Sequence, residues 1–262
     1  MNADGGWAKE EAHTVWRGRL RDLYLKDLHQ RPAEVFTAMV HDVGNTSTVA
    51  SEAIERFVTQ QRLAHYRTAA GDLDSAVRLY HWNAAISGEL FVMLGHTEIV
   101  LRNALDRQLR IWADDRSLGS WMDDTTTLRE AEQRDVAAAK TRRISRGQAI
   151  DHDAVVSEMS FGFWRYLLSA KYEATLWTPC LRFAFPNLSG SPRQVRNTLD
   201  RLHLLRNRIA HHEPVYRRDL KRDRDDCLRL LAWIDIESKN WVKEVTRSAV
   251  AVLNERPVNF PA

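Results

Sequence analysis

Cysteine is scarce in this sequence: Cys180 and Cys227 are its only two, and they stand in unrelated contexts. Two isolated cysteines exclude a disulfide framework and a cysteine-based zinc site, and they are typical of a reducing compartment. The N-terminal stretch MNADGGWAKEEAH lacks the order of a secretion signal, in which charged residues precede apolar ones. We also find no apolar run that approaches the length needed to cross a bilayer. These absences predict a cytoplasmic protein that does not contact a membrane.

Helix-breaking residues are equally few, with 11 glycines and 7 prolines in 262 residues. Apolar residues recur with the helical period along most of the chain, and no segment alternates with the period of a strand. The sequence therefore predicts an all-α protein, with one very long helix over 73–112. The stretch DVGNTST contains helix-stop residues and is the clearest early break. We accordingly predict an N-terminal helical extension over residues 1–47 and a main helical domain over residues 48–262.

A large excess of charge of one sign is missing as well: 38 basic residues face 35 acidic ones, and the net charge is +3. That balance does not by itself indicate a nucleic-acid-binding protein. Arginine nevertheless dominates the basic residues, and its planar guanidinium group can donate two hydrogen bonds at once to a phosphate. A genome rich in G and C would enrich arginine in the same way, so composition leaves both explanations open.

The most informative stretch is LLRNRIAHHEPVY, which runs from Leu204 to Tyr216 at the end of an apolar helical pattern. Asn207 and His211 lie four residues apart and therefore share one face of a helix. Pro214 disfavours helical geometry at the residue before it, which predicts that the helix ends close to His211. The motif thus lies at a helix C-terminus, where the macrodipole favours a protonated imidazole.

Those residue types suit the cleavage of RNA without a metal ion. A histidine titrates near neutral pH and can take a proton from the ribose 2′-hydroxyl or give one to the departing 5′-oxygen. Arg206 can neutralise the charge that develops on the phosphate in the transition state. Other roles stay open: Arg206 and Asn207 could form an ordinary hydrogen-bonded surface. His211 and His212 could cap the helix or bind a metal ion with Glu213, although adjacent histidines are a poor chelating pair.

The motif also resembles a known one. The stretch from Arg206 to His212 reads R-N-x-x-x-H-H, which is similar to the Rx4-6H motif of HEPN-domain proteins, particularly the Abi family linked to abortive phage infection. Two earlier stretches, LYHWNAAISGELFVMLGHTEIVLRNALDRQL and SEMSFGFWRYLL, resemble the preceding signature blocks of Abi-like proteins. The resemblance covers residues 62–241 and leaves the N-terminal extension outside it. Three blocks in the same order make the resemblance to this family specific.

This resemblance implies a HEPN-like helical bundle with metal-independent endoribonuclease activity, no cofactor, and a role in phage defence or as a toxin. It also implies a homodimer whose two motifs face each other across one cleft, and it allows for an antitoxin or a defence-system partner. Carried onto this chain, it makes Arg206, Asn207 and either His211 or His212 catalytic, and the spacing favours His211. Many HEPN proteins bind RNA or a protein without cleaving RNA, so a non-catalytic binding module is the alternative. A plain dimerisation domain is the third hypothesis.

A second arginine–asparagine pair accompanies the motif, because EIVLRNAL and LHLLRNRI share the letters LRN. We predict that Arg102 and Asn103 of the first stretch, together with Arg208 and Glu213 of the motif, contact the substrate. For Arg102 the competing role is a salt bridge with Glu98, which lies four residues earlier on the same helix.

Overall fold

The computed structural model describes residues 51–257, and this part of the chain is helical without any strand. The all-α prediction is therefore confirmed. The α-helices are α1 Ser51–Val58, α2 Gln60–Ala70, α3 Leu73–Asp114, α4 Glu130–Ser145, α5 His152–Glu158, α6 Phe161–Leu167, α7 Pro192–Ala210, α8 Leu220–Ile234, α9 Ile236–Val245 and α10 Ser248–Asn254. The predicted N-terminal extension over residues 1–47 lies outside the described residues and stays a prediction, as does its boundary.

Two compact units divide the chain, with the boundary after Arg78. In the first unit α1 packs against α2, and Arg67 of α2 forms an ion pair with Glu55 of α1 at 2.8 Å. Thr59 separates these helices with a left-handed backbone conformation, φ 77°, and its hydroxyl accepts a hydrogen bond from the first turn of α2. The second unit, described over residues 79–257, contains the candidate site.

The long helix α3 ends two residues beyond the predicted 73–112, at Asp114. Neither Gly88 nor Gly95 interrupts it, since no proline accompanies them and apolar packing outweighs their weak helix propensity. Its inner face is fully buried at Ile86, Leu90, Met93, Leu101 and Leu105. The helix therefore forms the centre of the core of the second unit.

Helix α3 also contains an 18-residue apolar window, and within residues 51–257 it is the one helix long and apolar enough to cross a membrane. The expectation that no apolar run approaches that length is therefore wrong. A buried core helix of a soluble protein can have the same composition, and the inner face of α3 is buried in this way. The lack of membrane contact and the cytoplasmic location stay predictions.

The aromatic segment SEMSFGFWRYLL supplies part of the core. Ser160 separates α5 from α6, and its hydroxyl accepts a hydrogen bond from the amide of Phe163, which caps α6. The ring of Phe163 lies edge to face with Trp164 at 5.1 Å, and Trp164 meets Trp121 at 5.9 Å. This packing fixes α6, whose first residue borders the candidate site.

Helix α7 carries the motif, and α8 holds it in place. Pro192 begins α7, in the first turn where its missing N–H costs no helical hydrogen bond. Arg201 of α7 donates from Nε to Oδ2 of the fully buried Asp226 of α8 at 2.5 Å. Arg218, just before α8, donates to the carbonyl of Arg201 at 3.4 Å and forms an ion pair with Asp223 at 2.7 Å. These charge-assisted bonds fix the position of α7.

Candidate functional site

The motif helix α7 ends at Ala210 with His211 as its C-cap, which confirms that the helix stops before Pro214. The amide of His211 still donates to the carbonyl of Asn207 at 3.0 Å, so the helical hydrogen-bond ladder extends through His211. The shared face of Asn207 and His211 is therefore retained in the structure. The side chain of His211 is exposed at the end of this face.

The next residue, His212, reverses the chain direction. Its backbone is left-handed, with φ 54°. Its amide donates to the carbonyl of Ile209 at 3.0 Å, and the amide of Glu213 donates to the carbonyl of Arg208 at 2.7 Å, which together form a Schellman turn. Glycine is the usual residue at this position, and a side chain there costs about 1 kcal/mol. Such strain is concentrated at functional sites in proteins, and it ends the helix before His212.

Arg208 and Glu213, both predicted to bind substrate, contact the helix end in the structure. Nη1 of Arg208 donates to the carbonyl of Pro214 at 3.4 Å, and its Nε lies 4.0 Å from Oε2 of Glu213. These contacts close the turn around His212 and stabilise its left-handed backbone. A role in substrate binding stays a prediction for both residues.

The residues that follow the turn are bound to α3. The side-chain oxygen of Asn83 accepts hydrogen bonds from the amides of Val215, at 2.8 Å, and Tyr216, at 3.0 Å. Asn83 is buried, so losing it would leave two buried amides without an acceptor. The first signature block and the motif are therefore joined by direct hydrogen bonds.

The half-buried Arg206 faces Glu98 on α3. Burial raises the pKa of the Glu98 carboxyl, whereas the charges of Arg206 and Arg102 and a hydrogen bond from the amide of Phe161 act in the opposite direction. Three helices, α3, α6 and α7, therefore meet at this carboxyl group. Sequence spacing alone does not bring Arg206 to Arg102, but the fold does.

His203 lies one turn before Asn207, and its Nε2 is 3.4 Å from the Asn207 side-chain nitrogen. Burial lowers the pKa of His203, the charges of Arg165 and Arg206 lower it further, and Asp200 partly opposes them. The imidazole of His203 is therefore neutral at pH 7. The four-residue spacing of His203 and Asn207 is visible in the sequence, but a lone histidine at such a position is more often a core residue than a ligand.

Five polar residues are gathered between α3, α6 and α7, and we call them the motif cluster: Glu98, Arg102, His203, Arg206 and Asn207. The exposed His211 and His212 follow it along the chain at the end of α7. Asn103 is exposed on a different side of α3 and does not join the cluster. The structure thus brings together Arg206, Asn207 and Arg102 of the predicted site residues.

The guanidinium groups of the motif cluster have unused donors. Within residues 51–257, Arg206 forms no hydrogen bond or ion pair, and its charge acts through space on Glu98 and His203. Nε of Arg102 is buried without a hydrogen-bond partner, and its Nη1 lies 3.5 Å from the carbonyl oxygen of Ser157. The unused donors of Arg206 can bind a phosphate or carboxylate from solution, whereas the buried Nε of Arg102 contributes charge only.

The two thiols have no part in such chemistry. Cys180 and Cys227 are buried, and burial raises the pKa of each to about 12, so neither supplies a thiolate near neutral pH. Across residues 51–257, no group of three histidine, cysteine, aspartate or glutamate side chains is arranged to hold a metal ion.

Comparison with protein-family models, with curated proteins and with solved structures gives no match to this chain.

Proposed function

We propose that this protein is a metal-independent endoribonuclease of the HEPN type, with Arg206 and His211 as its main catalytic residues. One observation carries the proposal. The last turns of α7 hold a half-buried guanidinium group, with donors unused by any described residue, and an exposed imidazole five residues later. The guanidinium group suits a phosphate, and the imidazole suits proton transfer at neutral pH.

In the proposed reaction, His211 accepts the proton of the ribose 2′-hydroxyl. The 2′-oxygen forms a bond to the adjacent phosphorus while the bond from phosphorus to the 5′-oxygen breaks. The departing 5′-oxygen takes a proton from the imidazolium, and Arg206 donates hydrogen bonds to the non-bridging oxygens, whose charge grows in the transition state. The products are a 2′,3′-cyclic phosphate and a 5′-hydroxyl, and the chemistry needs neither a metal ion nor a cofactor.

Asn207 and His212 have supporting roles in this proposal. Asn207 lies between His203 and His211 on one helix face and is suited to orient the phosphate beside Arg206. His212 follows the helix end with a left-handed backbone, and we assign it to phosphate positioning or to fixing the helix end. We therefore assign the proton transfer to His211.

A second copy of the chain completes the site in this proposal. The outer face of α3 exposes a stripe that we call the α3 stripe: Gly88, Val92, Gly95 and Ile99. Intervals of four, three and four residues keep these positions on one side of the helix. Val92 is 50% and Ile99 43% exposed, and no atom lies within 4 Å of a Cβ added at either glycine. An exposed apolar stripe with glycines is suited to close packing against another helix.

The α3 stripe borders the motif cluster, which supports a composite site. Helical geometry puts Arg102 about 60° from Ile99 around the axis of α3. Because Arg102 and Glu98 face Arg206, a partner docked on the stripe would lie beside the motif. A two-fold axis there would bring a second segment 206–212 to the same cleft and double the groups available to one phosphate.

We further propose that the ribonuclease acts in phage defence or as a toxin, with an antitoxin or another defence protein as a possible binding partner, as the resemblance implies. Induced expression in a bacterial host tests this role. We expect growth to stop with the wild-type chain and to continue with His211→Ala at an equal protein level. Equal growth of the two strains would contradict a role that depends on catalysis.

Incubation of the purified protein with structured and unstructured RNA in EDTA tests the activity itself. Cleavage in EDTA that is lost in Arg206→Ala supports the proposed ribonuclease. RNA binding without any cleavage would instead support the non-catalytic HEPN module. If the protein neither binds nor cleaves RNA, a dimerisation domain is the remaining hypothesis.

A further inference from the structure

Beyond the α3 stripe, the outer face of α3 changes from apolar to charged. Arg102, Asn103 and Arg107 line a groove of about 500 Å³ there. Asn103 and Arg107 also line a second groove, of about 490 Å³, which reaches Phe183 and the start of α9. The two grooves adjoin at these shared side chains, and together we call them the α3 groove.

The acidic side chains that line the α3 groove already have partners. Asp106 accepts a hydrogen bond from Nε of Arg110 at 2.8 Å, and Asp153 forms an ion pair with Nη2 of the same arginine. Asp235 caps α9 by accepting a hydrogen bond from an amide of its first turn at 2.6 Å. Asp106 and Asp153 share Arg110, and Asp235 accepts from an amide, so none of these carboxylates is paired with Arg102 or Arg107.

One cationic side chain of the α3 groove, Arg107, has unused donors at the surface. Arg107 is exposed, and it makes no hydrogen bond or ion pair with any residue in the range 51–257. Arg102 adds positive charge to the groove, but its Nε is buried and its Nη1 lies 3.5 Å from the carbonyl oxygen of Ser157. An arginine with free donors in a groove is suited to a phosphate group, because the guanidinium fork matches two phosphate oxygens.

An aromatic ring stands at the other end of the α3 groove. Phe183 is 53% exposed, and the guanidinium carbon of Arg182 lies 4.7 Å from its ring centre. The loop after it is fixed, because Asn187 donates from its backbone amide to Trp233 and from its side chain to Ala232, each at 3.1 Å. Arg182 covers one face of this exposed ring, and a planar group can stack on the opposite face or on the guanidinium itself.

We propose that the α3 groove binds a segment of single-stranded RNA, with a backbone phosphate on Arg107 and a base stacked on Phe183. A single strand is the ligand that uses both an unpaired arginine and an aromatic platform, whereas a duplex hides the faces of its bases. This inference rests on the proposed function. Arg102 belongs to both the α3 groove and the motif cluster, so a strand bound in the groove extends toward Arg206 and sets which phosphate is cleaved.

Fluorescence anisotropy with a labelled 2′-O-methyl oligouridylate of about twelve nucleotides, a length suited to such sites, tests the groove in EDTA. This probe lacks the 2′-hydroxyl nucleophile, so binding is separated from cleavage. We expect Phe183→Ala to raise the Kd roughly 5- to 100-fold and Phe183→Tyr to bind as the wild type does. Arg107→Ala should weaken binding and lower the slope of log Kd against log salt by about 0.7.

The matched controls lie on α4, which contributes no residue to the lining of the groove: Ile144→Ala for the exposed apolar side chain and Arg134→Ala for the exposed arginine. Both should bind as the wild type does, and circular dichroism should show the same helix content in every variant. If Phe183→Ala and Arg107→Ala both bind the probe as tightly as the wild type, the α3 groove is not the RNA-binding site. That result would not contradict the proposed ribonuclease. Stronger competition by a duplex would also overturn the single-strand assignment. A wild-type protein that neither binds this probe nor cleaves unmodified RNA would overturn both proposals.

Discussion

Two acid–arginine pairs on α3, Asp106 with Arg110 and Glu98 with Arg102, have the same four-residue spacing. They differ in whether the two side chains are in contact. Asp106 and Arg110 are in direct contact, and the Asp106 carboxylate also accepts a hydrogen bond from Trp121 at 2.9 Å and lies 2.7 Å from Nε2 of His152. In the other pair, Arg102 acts on Glu98 through space, and its Nε has no partner. The four-residue spacing predicts a salt bridge in each pair, but of these two pairs only Asp106 and Arg110 form one.

The difference distinguishes a structural network from a candidate site. A buried carboxylate whose acceptors are filled stabilises the fold and leaves nothing for a ligand. A half-buried carboxyl with a raised pKa, beside guanidinium groups with unused donors, keeps groups available for a substrate. Substitutions at the motif cluster should accordingly affect activity, and substitutions in the Asp106 network should affect stability.

The largest effect should come from the catalytic groups. We expect His211→Ala and Arg206→Ala each to lower kcat for RNA cleavage by about 10²–10⁴-fold, because proton transfer and charge stabilisation each contribute on this scale. His212→Ala should cost less, since an orienting residue moves no proton. Initial rates at saturating RNA, with thermal unfolding as a check on the fold, measure all three variants.

The two histidine variants also test which histidine transfers the proton. An inactive His212→Ala beside a nearly normal His211→Ala would exchange the roles of the two histidines. Full activity in both would mean that this stretch is not the catalytic site.

The free energy of unfolding should depend more on the Asp106 pair than on the Glu98 pair. Asp106→Ala removes the acceptor of three side chains, and we expect it to lower the free energy of unfolding by about 3 kcal/mol without changing kcat of the folded protein. Glu98→Ala, its matched control, should lower it by less than about 1 kcal/mol. Urea unfolding measures both. An equal loss of stability in the two variants would remove the distinction between network and site.

The α3 stripe provides the next test. The double variant Val92→Asp with Ile99→Asp puts charge on the proposed dimer surface, so we expect it to be monomeric and to lose activity. Ile144→Asp, on exposed α4, should change neither property. Light scattering and RNA cleavage at the same protein concentration measure the two effects. A wild-type monomer with full activity at micromolar concentration would contradict the composite site.

The smallest effect concerns the pH dependence of stability. Burial, with the charges of Arg165 and Arg206, holds the pKa of His203 below its ordinary 6.5 in the folded protein. As the pH falls through about 6.5, the unfolded chain takes up a proton that the folded state does not, and stability decreases until the folded pKa is reached. His203→Gln removes this contribution. Urea unfolding at about pH 8 and about pH 5 should therefore show a smaller loss of stability for the variant than for the wild type.

A control for this measurement is His81→Gln, because burial alone lowers the pKa of His81. It should reduce the pH dependence in the same direction but leave RNA cleavage unchanged. If His203→Gln and the wild type lose equal stability between the two pH values, the neutral state assigned to His203 is wrong.

The local features of the site are predictable from sequence. Helical periodicity gives the all-α class and the length of α3 to within two residues. Pro214 predicts where α7 ends, and four-residue spacing predicts the shared face of Asn207 and His211. Each of these depends on neighbours within one or two helical turns, so a single sequence contains the necessary information.

The remaining features depend on residues far apart in the chain. The raised pKa of Glu98 results from burial where α6 and α7 meet α3, and Asn83 binds a loop more than a hundred residues later. No spacing rule connects these positions. The left-handed His212 has no local signal either, because glycine is the residue that usually marks such a turn. Phe183 of the α3 groove lies in a helical turn of only four residues, Leu181–Ala184, which is too short to give a periodic pattern.

Cleavage of unmodified RNA in EDTA, followed by identification of the new ends, tests the central claim most directly. We predict that the wild-type protein produces fragments with 2′,3′-cyclic phosphate and 5′-hydroxyl ends in the chelator, and that Arg206→Ala and His211→Ala produce them at least about 100-fold more slowly. Cleavage that requires added Mg²⁺ or Zn²⁺, or that continues at the wild-type rate in both variants, would contradict a metal-independent ribonuclease centred on Arg206 and His211.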